Sequence, residues 1–447
     1  MPQGRKRLPQ LFFPIFFEIL FSMLTGVVDT LMLSSEGDQV VGAVGTANTY
    51  IGIFVIMFSI ISSGMIAVMT QYIGAGQPGV AQKAMRLGLL FNLATGIVIS
   101  CALFFFAEAI LEGIGIAEQL LQPAKTYLQT VGLFCICNAL VPIFSSYLRA
   151  FGHTAPTLTG TLLANVVNVI LNAVFLFGLG WGVMGAALAT GISRMVHLLW
   201  VSFIAHRRIP PVHEANPHAN WDILRKIISV GLPAAMETSL YNMAITLVIS
   251  LLNSMDSTGM QATARAYAVQ ISNFSFCAGA ALAQANAITV GWHIGAGELQ
   301  ACDRNTRRVA LVGIGLGVCT AGLFAAFSRP ILRLFTQNPD MIRLVSILLA
   351  VDIVLEVGRM TNMVFGTALK TSGDAVYPMV IAVVFAFVCA AGGTWFFGIR
   401  LGWMVVGAYV AMALDECVRA VFMFLRWHKG CWKNTNLLSK SSRSQPG

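Results

Sequence analysis

QYIGAGQ (residues 71–77) and WHIGAGE (residues 292–298) are two copies of one heptapeptide, set 221 positions apart. Three further pairs keep nearly that spacing. LFFPIFFEIL (11–20) and VGLPAAMETSL (230–240) place Pro14 and Glu18 opposite Pro233 and Glu237, 219 apart. YLRAFGHTAPT (147–157) and ALKTSGDAVYP (368–378) align through Gly152 and Gly373, 221 apart, and GWGVMGAALA (180–189) and GWMVVGAYVA (402–411) through Gly185 and Gly407, 222 apart. Four markers at one offset make the chain a tandem repeat of about 220 residues.

Each copy is dominated by apolar segments. The chain of 447 residues is 57% hydrophobic and 11% charged, with a mean hydropathy of +0.76, whereas soluble domains carry about 25% charged residues. Twelve apolar segments are legible, at 9–33, 40–69, 82–107, 120–148, 156–178, 183–205, 224–252, 260–290, 306–328, 341–366, 376–398 and 403–427. Each has a length suited to a hydrocarbon layer about 30 Å thick. The expected fold is an all-α integral membrane protein of twelve helices in two six-helix lobes. Six spans per copy is an even number, so both copies enter from the same side. They are expected to be related by a pseudo-two-fold axis along the membrane normal. The expected boundaries are an N-terminal lobe at 1–205, a polar cytoplasmic linker at 206–222 (HRRIPPVHEANPHANWD), a C-terminal lobe at 223–427 and a cytoplasmic tail at 428–447.

The net charge of +9 does not point to nucleic acid, because the basic residues sit in short junctions and at the ends. The even-numbered junctions and the two ends hold 19 of the 28 Lys and Arg residues, and the odd-numbered junctions hold five: Lys125, Arg329, Arg333, Arg343 and Arg400. By the positive-inside rule both termini are expected in the cytoplasm. Arg5-Lys6-Arg7 precedes the first apolar run, but the run is too long for a signal peptide and lacks a small-residue cleavage site. The nine cysteines lie mostly in apolar runs with no metal-like spacing and read as packing residues. There is no GxxxxGK[ST] loop for direct use of ATP, no GxSxG and no HExxH. HEANPH has the wrong spacing for a zinc protease, and neither an enzyme nor a bound cofactor is expected.

Seven acids fall inside the apolar segments: Glu18, Asp29, Glu237, Asp352, Glu356, Asp415 and Glu416. A charged Asp at a helix centre costs about 2.5–3.5 kcal/mol on insertion scales, so such residues usually serve function. Asp29 follows ten uncharged residues (Ile19–Val28) and has no basic residue within ten positions. Two readings fit it: a group that carries a cation through a conformational cycle, or a helix-end aspartate at the outer interface. Under the 219 offset its counterpart is Val248, so the halves are not chemically equivalent. Asp352 and Glu356 share a helix face, with Arg359 three residues on. Glu356 with Arg359, and Asp415 and Glu416 with Arg419, also read as local ion pairs.

The sequence resembles the multidrug and toxic compound extrusion (MATE) transporters from Leu8 to Trp427. VVDTLMLS (27–34), the two GAG turns, the Arg149/Gly152 and Lys370/Gly373 pairs and GVMGAALAT (182–190) carry the resemblance in this order. It implies secondary transport, with H⁺ or Na⁺ driving export of lipophilic, often cationic organic compounds. It also implies an N-lobe cation site of Asp29, Asn168, Asn172 and Thr190, with Asn172 standing where a well-studied group of the family has Asp. Asn168 and Asn172, at i and i+4, share a face, and packing between helices is the alternative role for them and for Thr190. For the C-lobe it implies a cation site at Glu237, with Asp352 and Glu356 as neighbouring acids. Glu18, the repeat-equivalent of Glu237, is a possible second N-lobe acid. The 20 Met and 29 Phe residues suit an adaptable apolar drug cavity, but most are expected to face lipid or neighbouring helices. A lipid-linked oligosaccharide flippase of the same superfamily is the alternative, but acids outnumber basic residues seven to four within the spans, which favours cationic cargo. A bacterial inner-membrane monomer that contacts small molecules and lipid, and no nucleic acid, is expected.

Overall fold

The computed structural model describes residues 6–113, 116, 118–212, 220–256, 258–435 and 437–438, without the side chains of 38 and 39. The middle of the expected linker (213–219) and half of the expected tail (436 and 439–447) lie outside the described residues, as do Arg5, His213, His218, Lys440 and Arg443. The twelve expected segments are all helical. In the first half they are α1 (Leu8–Ser34), α2 (Asp38–Gly74), α3 (Pro78–Phe105), α4 (Glu118–Leu133 and Cys135–Ala150), α5 (Ala155–Asn172, continued by Ala173–Gly178) and α6 (Gly182–Arg208). In the second half they are α7 (Asn220–Met255), α8 (Met260–Gly295), α9 (Leu299–Ala326), α10 (Pro339–Ser372), α11 (Val376–Phe385, continued to Arg400) and α12 (Met404–His428).

Among the described residues nine helices are long and apolar enough to cross a membrane, and the two parts of α4 together make a tenth. The remaining two, α10 and α12, carry Asp352, Glu356 and Arg359, and Asp415, Glu416 and Arg419. Their charges are tolerated because these two helices pack on each other, and α10 also packs on α8 and α9. Multi-pass membrane architecture follows from this pattern.

The repeat markers are structural punctuation. Gly76 and Gly297 have φ of +76° and +74°, and Gly152 and Gly373 have +79° and +107°. Each follows the C-cap of a helix or occupies it, in the left-handed region that favours glycine. Short helices at Ala107–Glu112 and Ser328–Leu332 occupy repeat-equivalent places. So do the widened π-type turns at Ala173–Gly178, which continues α5, and at Thr394–Arg400, which ends α11. Such turns cluster at functional positions because they redirect side chains.

The chain divides into two compact units, Met1–Leu232 and Pro233–Gly447. The boundary falls inside α7, just before Pro233. The start of α7 packs within the first unit, where a Cβ on Gly231 would lie 1.7 Å from the Ile60 carbonyl oxygen. One difference from the expected helices is a 47° break in α4 at Phe134. Its ring rests on α6, where a Cβ on Gly191 would meet it at 2.1 Å. The core of the first unit gathers Val44, Phe58, Leu103, Leu128 and Leu176, and that of the second Val248, Leu252, Leu348 and Tyr409.

Gly358 sets the approach of α10 to α12. A Cβ there would lie 2.5 Å from the Glu416 carbonyl carbon and 2.6 Å from the Cys417 nitrogen. Backbone cannot step aside as a flexible side chain can, so Gly358→Ala should destabilise the second unit by about 1–3 kcal/mol or more. Thermal unfolding in detergent checks this. An unchanged transition would mean that the two helices separate easily.

Candidate functional site

In the first unit, Asp29 lies on α1 five residues before its end and borders a cavity of about 250 Å³. The lining includes Thr30, Asn48, Tyr127, Asn172 and Thr190, drawn from α1, α2, α4, α5 and α6. The Asn172 amide nitrogen donates to Asp29 Oδ1 at 2.9 Å and to Asn168 Oδ1 at 3.3 Å. Both partners are acceptors, which fixes the orientation of the Asn172 amide. Its own Oδ1 is buried and has no hydrogen-bond partner among the described residues. Asn168 and Asn172 are 3% and 2% exposed, and a buried acceptor without a donor costs about 1–3 kcal/mol. The i, i+4 spacing on α5 does bring both amides to one face. Asn172 alone touches Asp29, and Asn168 touches Asn172.

This pocket thus gathers the Asp29 carboxylate, the Asn48 and Asn172 amides and the Thr30 and Thr190 hydroxyls on one small volume, with Asn168 behind Asn172 and off the wall. These are hard oxygen donors, suited to a hard cation rather than to a soft metal. Tyr127 donates to Asn48 Oδ1 at 3.3 Å on the opposite wall. Arg194, one turn beyond Thr190 on α6, lies within electrostatic range of Asp29. Sequence distance concealed Arg194, which lies 165 positions from Asp29.

Glu18 does not join this pocket. It sits eleven residues earlier on α1, about 16 Å along the axis. Its carboxylate accepts from Arg149 Nη2 at 2.7 Å and from Thr157 Oγ1 at 2.7 Å. In the second unit Lys370 Nζ lies 3.1 Å from both oxygens of Glu237. These are the same ion pair in the two repeats, since Glu18 matches Glu237 and Arg149 matches Lys370. Each ties the first helix of its half to the end of the fourth.

The second unit holds a larger cavity, about 610 Å³, between α7, α8, α10 and α12, with Ala382 of α11 on its wall. Glu237 and Asp352 both line it, as the sequence led us to expect. Asp352 Oδ2 accepts from Ser272 Oγ at 2.7 Å. Glu356 is not on the wall. It is 0% exposed, lies against Gly317 of α9 and is ion-paired with Arg359. Arg419 lies 2.7 Å from both Asp415 and Glu416, and Asn362 Nδ2 donates to Glu416 Oε2 at 2.7 Å. Both local ion pairs read from the sequence are therefore present. Phe276, Met363 and Met412 share this wall with seven charged side chains and with Asn242, Asn273 and Asn362. Most of the chain's Met and Phe residues belong to other surfaces.

The MatE family model matches residues 14–174 and 233–396, one block in each repeat. "Uncharacterized transporter YisQ" of Bacillus subtilis is 32% identical over 425 residues, covering 94% of this chain and 93% of its own. "Probable multidrug resistance protein NorM" of Thermotoga maritima is 22% identical, covering 100% and 97%. The crystal structure of a MATE protein in complex with MaD3S superposes with a TM-score of 0.88 at 19% identity, covering 96% of each chain. The chain belongs to the MatE family, the multidrug and toxic compound extrusion transporters. It is a membrane transporter of this family, and its relatives bear the names of transporters rather than enzymes.

Proposed function

We propose that the protein is a secondary active antiporter that exports lipophilic or cationic organic compounds in exchange for H⁺ or Na⁺ by alternating access. The observation that carries this reading is the Asp29 pocket. A carboxylate inside an apolar helix borders a small polar cavity, held by the Asn172 N–H and with no cation within ion-pair distance among the described residues, an arrangement that a cation completes. Asp29 and Thr190 supply oxygens to the cavity in this reading, and Asn172 and Asn168 join them once the Asn172 amide, whose N–H faces Asp29 and Asn168, turns its oxygen inward. A proton needs only Asp29, whereas Na⁺ uses several of them. Having Asn rather than Asp at 172 leaves one carboxylate, so a cation is held by one formal charge and neutral dipoles.

Glu237 and Asp352 are the C-lobe groups that can meet a cationic cargo or a second coupling ion. Lys370 already answers Glu237, so cation binding there must compete with, or displace, that lysine. Glu356 acts at a distance, by holding Arg359. The basic residues at the even junctions support cytoplasmic termini, and the bacterial relatives support an inner-membrane location, with a monomer as the working unit.

The test is efflux of a fluorescent organic cation from proteoliposomes under an imposed H⁺ gradient and, separately, an Na⁺ gradient. Gradient-driven export names the ion. Transport that ignores both gradients would remove the antiport reading.

A further inference from the structure

Where the even-numbered junctions lie, the two repeats are built differently. In the second unit Arg426 Nε donates to Asp374 Oδ2 at 2.8 Å, and the guanidinium lies 4.6 Å from the centre of the Tyr377 ring. An ion pair and an aromatic ring thus fill that corner. The repeat offsets of 221 and 222 place His153, Pro156 and Ile204 at the positions of Asp374, Tyr377 and Arg426. The first unit therefore lacks the acid, the large ring and the guanidinium, and a cavity of about 370 Å³ stands in their place. That volume falls within the range of small-ligand sites.

The cavity has a basic rim. Lys6 precedes α1, His153 lies between α4 and α5, and Arg208 ends α6, so three separate segments bring three basic side chains to one wall. No acid lines it. Burial, and then the positive charges of Lys6 and Arg208, hold the His153 imidazole below its ordinary pKa, and no acid among the described residues offsets them. The rest of the wall includes Pro156, Trp200 and Ile204. The Trp200 indole N–H donates to Thr159 Oγ1 at 3.1 Å, which gives the ring one polar and one apolar side, as interfacial tryptophans have. Deeper in the bundle the same side turns apolar. Leu163 and Val166 continue the Thr159 face of α5, Leu199 and Phe203 flank Trp200 and Ile204 on α6, and all four are exposed.

We propose that this corner of the first unit binds an anionic phospholipid, with the headgroup phosphate among Lys6, His153 and Arg208 and the acyl chains along Leu163, Val166, Leu199 and Phe203. Basic pockets between membrane helices hold anionic headgroups in this way. A free phosphate would use the basic rim alone and leave the apolar faces without a role. The assignment is independent of the antiport reading, since it concerns the bilayer rather than cargo or coupling ion.

The experiment reconstitutes the full chain in phosphatidylcholine vesicles containing rising fractions of phosphatidylglycerol, or of phosphatidylcholine, with brominated acyl chains. Bromine quenches only nearby indoles, and Trp200→Phe isolates the Trp200 share of the signal from the chain's eight tryptophans. Half-quenching of Trp200 should need about fivefold less of the brominated phosphatidylglycerol, the preference that one Lys or Arg confers near an anionic surface, or a still smaller amount. Lys6→Gln with Arg208→Gln should bring the two curves together. His153→Asp, which installs the acid of the second unit, should reduce the preference, and Arg225→Gln, a basic residue off the cavity wall, should leave it unchanged. Equal quenching by the two lipids in wild type would overturn the proposal, as would a preference that survives Lys6→Gln with Arg208→Gln. An equal loss in Arg225→Gln would reduce the effect to general surface charge and overturn it too. Relief of the quenching by inorganic phosphate at constant ionic strength would replace the lipid by a free anion and count against the site in the same way.

Discussion

Asp29→Asn is expected to cut gradient-driven efflux by about 5- to 150-fold, the range of one coupling free energy of 1–3 kcal/mol. The substitution is nearly isosteric. The Asn172 amide can still donate to the new side-chain oxygen, and helix α1 loses only a charge that was expensive to keep in an apolar span. Stability should therefore be unchanged or slightly higher, which separates a coupling defect from a folding defect. The comparison is initial efflux in proteoliposomes alongside thermal unfolding in detergent. A variant that exports at the wild-type rate would reduce Asp29 to a helix-end residue, and Glu237 and Asp352 would become the coupling candidates.

The second large effect concerns Arg359. Glu356 is 0% exposed, and Arg359 is its only ion-pair partner among the described residues. Its second oxygen is already buried without a hydrogen bond. Arg359→Met would strand that carboxylate, and breaking a buried pair from one side costs about 3–5 kcal/mol. The cost should fall sharply in Arg359→Met with Glu356→Gln, because the neutral amide has no charge to desolvate. The single and double variants, followed by chemical or thermal unfolding, give the coupling directly. If the single variant is as stable as wild type, Glu356 is neutral in the folded protein and the pair is not ionic.

The repeat was legible because its markers are turn glycines, whose positive φ survives wide sequence change. Gly76 with Gly297 and Gly152 with Gly373 therefore reveal two copies without any alignment of side chains. The spans were legible because hydrophobic length is a one-dimensional property. The meeting of Asp29 with Asn172 was also within reach, through helical spacing on α5 and the family motif. Three features were not. At the break the Phe134 ring rests on Gly191 of another helix, a contact that no reading of α4 alone supplies. Arg194 comes near Asp29 only through the packing of α6. That Arg265 Nε, on the wall of the second unit's cavity, has no hydrogen-bond partner among the described residues depends on what does not reach it, which no single segment records.

The ion pairs Glu18–Arg149 and Glu237–Lys370 lie between these extremes. Their partners are 131 and 133 residues apart. Yet the repeat alignment places an acid over an acid and a base over a base, and a compensating pair conserved between two halves of one chain is a signal of contact. Reading those matches jointly, rather than as separate markers, would have found both pairs. It would also have shown Glu237 as a paired acid in the resting structure, which changes what a cation must displace there.

If the Asp29 pocket holds the cation exchanged for cargo, that cation must leave as cargo binds. Binding of an organic cation to the purified full chain in weakly buffered detergent solution, with released H⁺ or Na⁺ recorded, tests it most directly. Wild type should release one of these ions as cargo binds, and Asp29→Asn should bind cargo without release. Equal release from Asp29→Asn would contradict it.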